Sequence, residues 1–339
     1  FSRIKLFHTK QKFSSFKFKD NHKNELSYKY TPIENVGVYV PGGTASYPST
    51  VLMNCIPAIV AGVKNIYLTT PALGSSVNPA IVYAAKKCGV KEIYRIGGAQ
   101  AIAALAYGTK TIKRVDKIVG PGNIYVAAAK KIVFREVGID MIAGPSEITV
   151  VADKSSNVKW VAADLIGQAE HDINAQCILI SKNKELIDKV QKELEIQLQS
   201  LPRRKIALGS LKKNGLLIFA NSDKKISNII NIIAPEHLEL SVDKYKSILK
   251  NVKNAGSICT GKYSAMAVTD YCAGSNHTLP THSSAKFFSG LSVFDFFKRI
   301  SYINLSKKGI ETIGEKVINL ATYEGLDGHA KSVKLRLGE

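Results

Sequence analysis

Short apolar blocks alternate along this chain with longer segments in which apolar residues recur at helical spacing. Continuous apolar blocks predict strands that are buried on both faces, and the longer segments predict the helices that cover them. Turns rich in glycine, proline and asparagine separate the two kinds of segment. The pattern therefore predicts parallel βαβ units.

The first series of units predicts a sheet in which a helix follows each strand. The strands lie at 36–40, 65–70, 91–96 and 117–119. The helices lie at 48–61, 78–88, 100–107 and 124–135. We interpret the segment 143–147, which contains glycine and proline, as the hinge that follows this series.

A second series of the same kind follows the hinge. Its strands lie at 148–152, 177–181, 215–220, 238–240 and 257–260. Its helices lie at 158–171, 184–199, 222–233 and 243–252. The segment 271–298 is irregular, and a long irregular stretch inside a compact protein usually carries function. An amphipathic helix at 310–324 then precedes a tail.

These elements predict an α/β fold with two Rossmann-like, doubly wound domains of parallel sheets and a helical C-terminal tail. The glycine fingerprint that is usual in such folds, Gly-x-Gly-x-x-Gly, is missing from the sequence. The expected divisions are an N-terminal lead-in at 1–35, a first domain at 36–146, a second domain at 147–300, and a C-terminal helix and tail at 301–339.

Composition is typical of a globular protein, with 45% hydrophobic and 22% charged residues in a chain of 339. The longest apolar run, at 51–63, is interrupted by Asn54 and Pro57 and falls short of the ~18 residues of a membrane span, so we expect no membrane association. The five cysteines are odd in number and lack Cys-x-x-Cys spacing. This favours a reducing compartment, and a cytoplasmic protein, over a disulfide scaffold or a thiolate zinc site.

The formal charge of +20 leaves two interpretations open. A basic face could bind nucleic acid or another polyanion, or the lysines could form a solvated surface. Lysine outnumbers arginine 39 to 8, and arginine is the residue suited to bidentate contacts with bases and phosphates. Since no nucleic-acid-binding motif accompanies the charge, we expect no nucleic-acid partner. The basic, acid-poor start without an initiator methionine suggests a fragment, a processed chain or a transit peptide.

Histidine is scarce, and several histidines stand next to acids or amides. Gln168 and His171, three positions apart at the end of a predicted helix, would share a face and could hold a metal or polarise a substrate. The alternative is a polar helix terminus with a solvated histidine. Glu236 and His237 could form an acid/base pair near neutral pH. The alternative there is a surface glutamate beside a histidine that packs against the sheet.

Asp270 and His277 flank an irregular loop of small polar residues. A cluster of histidine, aspartate and amide ligands without cysteine would suit zinc, or manganese or cobalt. Cys272, close to both residues, could be a nucleophile in an aldehyde oxidation, or simply a small core residue. The Gly-Pro-Gly-Asn turn at 120–123 leads from a strand into a helix, and such a helix start favours a pyrophosphate.

Eight motifs, in order over nearly the whole chain, resemble the histidinol dehydrogenase family. They are Val-Gly-Val-Tyr-Val-Pro-Gly-Gly at 36–43, Ile-Gly-Gly-Ala-Gln-Ala at 96–101, Gly-Pro-Gly-Asn at 120–123, Ala-Gly-Pro-Ser-Glu at 143–147, Gln-Ala-Glu-His at 168–171, Ala-Pro-Glu-His-Leu-Glu at 234–239, Gly-Ser-Asn-His-Thr-Leu-Pro-Thr at 274–281, and Glu-Gly-Leu at 324–326 with His329. The stretch at 7–12 also resembles the family, which argues against a transit peptide.

The resemblance implies oxidation of L-histidinol through the aldehyde to L-histidine, the last step of histidine biosynthesis, with NAD and one zinc ion per subunit. Carried over to this chain, Glu236 and His237 are the catalytic acid/base pair. The implied metal ligands are Gln168, His171, Asp270 and His329. These four residues and His237 also face the substrate, together with Ser146, His277 and Glu324.

The NAD contacts implied by the resemblance are Tyr39, Gln100 and Asn123, which places the cofactor on the first domain and the metal on the second. The family forms homodimers in which the C-terminal tail reaches into the partner's site, so Glu324 and His329 would serve the other subunit. Family members also carry a further helical segment before the point where this chain begins. We expect L-histidinol and a second copy of the chain as partners.

Overall fold

The computed structural model describes residues 1–11, 14–42, 46–72 and 76–339. Gly43, which ends the first motif, and Lys12, which ends the stretch at 7–12, lie outside the described residues. The chain forms two compact units. The larger consists of Phe1–Gln11 and Ile33–Phe296, and the smaller of Lys12–Pro32 and Phe297–Glu339. In the part of the chain that the structure describes, no helix is both long enough and apolar enough to cross a membrane.

Strands and helices alternate through most of the larger unit. The strands are β1 (Lys17–Lys19), β2 (Glu25–Pro32), β3 (Asn35–Tyr39), β4 (Asn65–Thr69), β5 (Glu92–Tyr94), β6 (Lys117–Val119), β7 (Gly138–Ile139), β8 (Glu147–Ala152), β9 (Gln176–Ser181), β10 (Gly215–Phe219), β11 (His237–Ser241), β12 (Ser257–Thr260) and β13 (Phe297–Asn304). The helices are α1 (Ser2–Thr9), α2 (Pro48–Ala61), α3 (Pro79–Lys87), α4 (Gly98–Tyr107), α5 (Ile124–Val133), α6 (Val158–Ala169), α7 (Lys184–Gln199), α8 (Arg204–Asn214), α9 (Asp223–Ile233), α10 (Lys246–Leu249), α11 (Met266–Tyr271), α12 (Lys307–Tyr323) and α13 (Asp327–Leu337).

The first sheet of the larger unit has five parallel strands in the order β5-β4-β3-β6-β7. The chain starts in the middle at β3, builds outward through β4 and β5, and then returns to add β6 and β7. The strand order therefore reverses between β3 and β6, which is where doubly wound sheets open a crevice. Val38, Leu68 and Ile118 are fully buried in neighbouring strands, as expected for a sheet covered on both faces.

The second sheet repeats this arrangement with five parallel strands in the order β10-β9-β8-β11-β12. Every residue of β8 and of β11 is buried, because these two strands form the centre of the sheet. Here the order reverses between β8 and β11. Two doubly wound parallel sheets confirm the predicted fold class, including the missing glycine fingerprint.

The smaller unit contains an antiparallel sheet, β1-β2-β13, and a helix pair, α12 and α13. Ile318, Ala321 and Ala330 are buried between the two helices. The prediction of a simple tail after α12 was wrong, because that tail forms α13. The strands β2 and β13 were also not predicted. Seven of the eight residues of β13 are exposed, so no apolar block marks it in the sequence.

Two element predictions in the second series need correction. Helix α8 was not predicted, because the only residues it buries are the small Ala207 and Ser210, which form no apolar stripe. The helix predicted at 243–252 is only the four-residue α10. The predicted irregular segment is irregular, apart from the 3₁₀ helices Ser284–Lys286 and Val293–Phe296 and the start of β13.

Candidate active site

The candidate catalytic residues gather at the amino ends of the strands of the second sheet. Ser146 immediately precedes β8, His171 lies in the connection from α6 to β9, and Glu236 immediately precedes β11. Ligands of open α/β sheets normally bind beyond the carboxyl ends of the strands. The cluster therefore lies at the edge opposite to the one that the fold rule indicates.

Glu236 is held in place by the backbone of two neighbouring strands. Its Oε2 accepts a hydrogen bond of 2.8 Å from the backbone amide of Glu147, the first residue of β8. Its own carbonyl accepts one of 2.8 Å from the amide of Ser257, the first residue of β12. Gly256 permits this approach, because a Cβ there would lie 2.6 Å from the Glu236 carbonyl oxygen. The carboxyl group is thus fixed before any ligand arrives.

The Glu236 carboxyl is buried, and its burial dominates its acidity. Desolvation disfavours the charged form and raises the pKa well above its usual range, and the charges of Asp270 and Glu147 raise it further. The hydrogen bond from the Glu147 amide opposes this shift but does not outweigh it. Once ionised, a carboxylate with a raised pKa is a stronger base than an ordinary glutamate.

His237, the first residue of β11, faces two carboxyl groups. Its Nε2 lies 3.7 Å from Oδ1 of Asp270 and 3.9 Å from Oε1 of Glu236. Burial lowers its pKa to about 3, and the charges of His277 and His171 contribute to the shift. The ring is therefore neutral at physiological pH and can accept a proton. Its Nδ1 is buried without a hydrogen-bond partner.

Asp270 and His277 are joined through the short helix α11. Asp270 lies near the end of α11, and its backbone carbonyl lies 3.0 Å from Nδ1 of His277. Burial raises the pKa of the Asp270 carboxyl to about 7. Burial also lowers the pKa of His277 to about 4, and the nearby His171 adds to this effect. The structure thus brings Asp270, His277, His237 and Glu236 into one cluster.

Gln168 and His171 stand at the end of α6, although the helix is shorter than predicted. It ends at Ala169, so His171 lies in the turn beyond it. Gln168 is only 1% exposed, and its Oε1 has no hydrogen-bond partner. The His171 side chain is open to solvent, yet the protein atoms crowded around it lower its pKa by desolvation. We take the solvent-accessible area as the measure of access, and the crowding as the cause of the pKa shift.

The donor set around Asp270 fits a metal ion such as zinc. Oε1 of Gln168 and Oδ1 of Asp270 are buried oxygens without protein partners, and His171 has a depressed pKa that favours the neutral ring a metal requires. Within the described ranges, no group of three or more His, Cys, Asp or Glu side chains is placed to hold a metal. A set of one histidine, one aspartate and one amide does not meet that count. The fourth implied ligand, His329, belongs to the smaller unit.

The remaining substrate candidates are divided between the units. Ser146 is half-buried in the larger unit, and its carbonyl accepts a hydrogen bond of 3.0 Å from the amide of Gln176 at the start of β9. Glu324 and His329 lie in the smaller unit, where both are exposed. Glu324 is the residue that ends α12, and His329 lies in the first turn of α13. Their predicted roles stay predictions.

The NAD candidates lie at the carboxyl ends of the first sheet, beside the β3–β6 crevice. Tyr39 ends β3 and is buried, with its hydroxyl accepting a hydrogen bond of 3.0 Å from the amide of Gly98 in α4. Gln100 is exposed in the first turn of α4. Asn123 caps α5, where its Oδ1 accepts bonds of 3.1 Å from the amides of Tyr125 and Val126. Tyr39 and Asn123 thus have structural roles as well as the predicted cofactor role.

Two observations in the cluster go beyond the sequence. Glu147 lies in a recognised motif without an assigned role, yet its amide binds Glu236 and its Oε1 accepts a bond of 2.8 Å from the amide of His282. Its motif was the only signal that could have identified it. Cys272 is exposed at the end of α11, so the alternative of a small core residue is wrong. Its role as a nucleophile stays untested.

Comparison with known proteins gives one consistent result. The family model described as histidinol dehydrogenase matches residues 1–337. The chain is similar to the histidinol dehydrogenase of Pelagibacter ubique, with 64% identity over 338 residues that cover 99% of this chain and 79% of the relative. It is 50% identical to that of Streptococcus mutans over 305 residues, which cover 90% and 71% of the two chains. The crystal structure of histidinol dehydrogenase from Elizabethkingia anophelis superposes with a TM-score of 0.95 at 42% identity, covering 99% of this chain and 78% of that one.

Proposed function

The chain belongs to the histidinol dehydrogenase family, and from that membership we propose that it oxidises L-histidinol through the aldehyde to L-histidine, with two NAD and one water. The observation that carries the proposal is the buried cluster in which Nε2 of His237 lies 3.7 and 3.9 Å from the carboxyl groups of Asp270 and Glu236. This cluster combines a neutral imidazole with a carboxyl group of raised pKa, as a two-step oxidation of an alcohol requires.

In the first oxidation, the hydroxyl proton of the substrate passes to His237. A hydride leaves the same carbon for NAD, and the alcohol becomes the aldehyde. His237 suits this role because burial keeps its ring neutral and therefore able to accept a proton. The carboxyl groups of Asp270 and Glu236, when ionised, would stabilise the imidazolium that forms.

In the second oxidation, Glu236 takes a proton from the water that attacks the aldehyde carbon. The hydrated aldehyde then gives a second hydride to a second NAD and becomes the carboxylate. The raised pKa of Glu236 makes its ionised form an effective base. Its hydrogen bond from the Glu147 amide supports the role by fixing the direction of the carboxyl group.

We propose one zinc ion per subunit, held by Gln168, His171, Asp270 and His329. The two buried oxygens without protein partners, on Gln168 and Asp270, support this set. When bound, zinc would serve as a template that orients the imidazole and amine of the substrate. The chain's own ligands would thereby fix the reacting carbon relative to His237 and Glu236.

Further contacts follow from family membership. Ser146, His277 and Glu324 would contact the substrate, together with His237 and the metal ligands. Tyr39, Gln100 and Asn123 would contact NAD, and their place beside the crevice of the first sheet supports this. The division into domains at 36–146 and 147–300, with a lead-in at 1–35 and a tail at 301–339, remains part of the proposal, as does a cytoplasmic location.

We also propose a homodimer in which Glu324 and His329 complete the partner's site. The test is complementation between two inactive variants, His237→Ala and His329→Ala. Mixed dimers of these variants would contain one site with every residue intact, so mixing the unfolded subunits and refolding them should restore part of the activity. If the mixture stayed as inactive as its components, His329 would not act across subunits.

The central experiment counts NADH formed per L-histidinol consumed, with and without a chelator. Two NADH per substrate, lost on chelation and restored by zinc, are expected. No NADH at any zinc concentration would refute the proposed activity. One NADH per substrate would leave the first oxidation standing and refute the role of Glu236 in the second.

A further inference from the structure

A buried carboxyl group lies directly beneath the candidate active site. Glu239 stands two residues after His237 on β11, and successive side chains of a strand alternate between the faces of the sheet. Glu239 and His237 therefore point to the same face, about 7 Å apart along the strand. Glu239 is only 1% exposed, and the proposed reaction gives it no role.

The Glu239 carboxyl contacts the two other elements that carry site residues. It accepts a hydrogen bond from the backbone amide of Met266, the first residue of α11. It also lies within hydrogen-bonding reach of the Asp164 carboxyl on α6. One side chain on β11 thus joins α11 and α6.

The spacing along these helices gives the contacts their meaning. Asp164 lies four residues before Gln168 on α6, and Met266 lies four residues before Asp270 on α11. Four residues are about one helical turn, a rise of about 6 Å. Glu239 therefore binds α6 and α11 one turn below the residues that each helix presents to the site.

The two carboxyl groups can bind each other because they share a proton. Burial, and then the charge of Asp164, raise the pKa of Glu239 to about 9. Glu239 thus keeps its proton at neutral pH and can donate it to Asp164. Its Oε2 is buried without any donor from the protein, as expected of an oxygen that carries the proton itself.

We propose that Glu239 is a positioning residue, which sets Gln168 and Asp270 at the spacing that the metal requires by tying α6 and α11 to β11. The inference rests on the proposed function, because it assumes that these two residues are ligands. Groups behind a metal site commonly fix ligand orientation in this way, and losing one typically costs 10–100-fold in metal affinity or activity.

The test measures zinc affinity by competition with a chromophoric chelator, and ligand geometry by the visible spectrum of the cobalt-substituted protein. Glu239→Ala removes both contacts and should weaken zinc binding by about 10–100-fold and alter the cobalt spectrum. Glu239→Gln keeps an acceptor for the Met266 amide and a donor for Asp164, and should behave like the wild type. Ser241→Ala, a buried position on the same strand face two residues further from the site, is the control and should change neither.

Asp164→Ala is the second variant, because Asp164 is partly exposed and its loss is easier to tolerate than that of Glu239. It should also weaken zinc binding and alter the spectrum. If zinc affinity and spectrum in Asp164→Ala, and in any folded Glu239→Ala, matched the wild type, the inference would be overturned while the proposed function stood. If the wild type itself bound neither metal, the proposed metal site would fail, and the inference with it.

Discussion

Replacing Glu236 with glutamine separates the two oxidations. The glutamine side chain has the same shape, and its oxygen can still accept the 2.8 Å hydrogen bond from the Glu147 amide, so the site should keep its geometry. What the variant loses is a group that can take a proton from water. Oxidation of the aldehyde should therefore fail, while oxidation of the alcohol, which uses His237, should continue.

A positioned general base contributes about 10²–10⁴-fold to a rate, which corresponds to about 2.7–5.5 kcal/mol of activation free energy. Glu236→Gln should lose that much in the rate with L-histidinaldehyde as substrate. With L-histidinol, NADH per substrate should fall from two towards one as the aldehyde accumulates. The assay follows NADH absorbance with each substrate in turn.

The wild-type pH dependence supplies a second reading of the same group. Only the ionised form of Glu236 is a base, and its pKa is raised, so aldehyde oxidation should increase with pH above the usual range of a glutamate. The variant should lack this rise. Glu147→Gln is the matched control, because Glu147 is also buried with a raised pKa but is not assigned to proton transfer. An unchanged aldehyde rate in Glu236→Gln would refute the assignment.

Three further predictions concern stability and the cofactor. Lys130 and Asp140 form a buried ion pair that also binds the backbone of Gly120, so Lys130→Met should cost about 3–5 kcal/mol in urea unfolding, and adding Asp140→Leu should recover much of it; an unchanged midpoint would contradict this. Asn123→Ala should lose about 0.5–2 kcal/mol of helix capping and raise the KM for NAD, whereas Asn123→Asp keeps the cap, so an unchanged KM in both would argue against an NAD contact. Because Glu239 keeps its proton in the fold up to about pH 9 while the unfolded chain ionises near 4.5, wild-type stability should fall with rising pH in this window relative to Glu239→Gln; parallel stability curves would count against it.

The strands of both parallel sheets could be predicted because their signal is local. A central strand such as β8 is buried on both faces, so its apolar block stands out from the polar turns on either side. The antiparallel strands β2 and β13 have no such signal. They are largely exposed, and they pair across more than 250 residues of sequence, so nothing near either strand identifies its partner.

The candidate residues could be named from motifs, since the residue types and their order suffice for a resemblance. The sequence alone did not decide their chemistry. The pKa of His237 near 3 and that of Asp270 near 7 arise from burial, which depends on what packs around each group. Glu147 and Glu239 were present in the motifs, but their roles as backbone donor to Glu236 and as link between helices exist only in the assembled sheet.

The sequence by itself determined the order of strands and helices, the α/β class and the family, because hydrophobic period, turn residues and motifs are written in short stretches. Only the tertiary structure decided that the cluster lies at the amino ends of the second sheet, and which carboxyl groups share its desolvated interior. The physical reason is that strand order and burial depend on contacts between residues far apart in the chain. The electrostatic properties of a site follow from those contacts, since they fix how much water each charged group has lost.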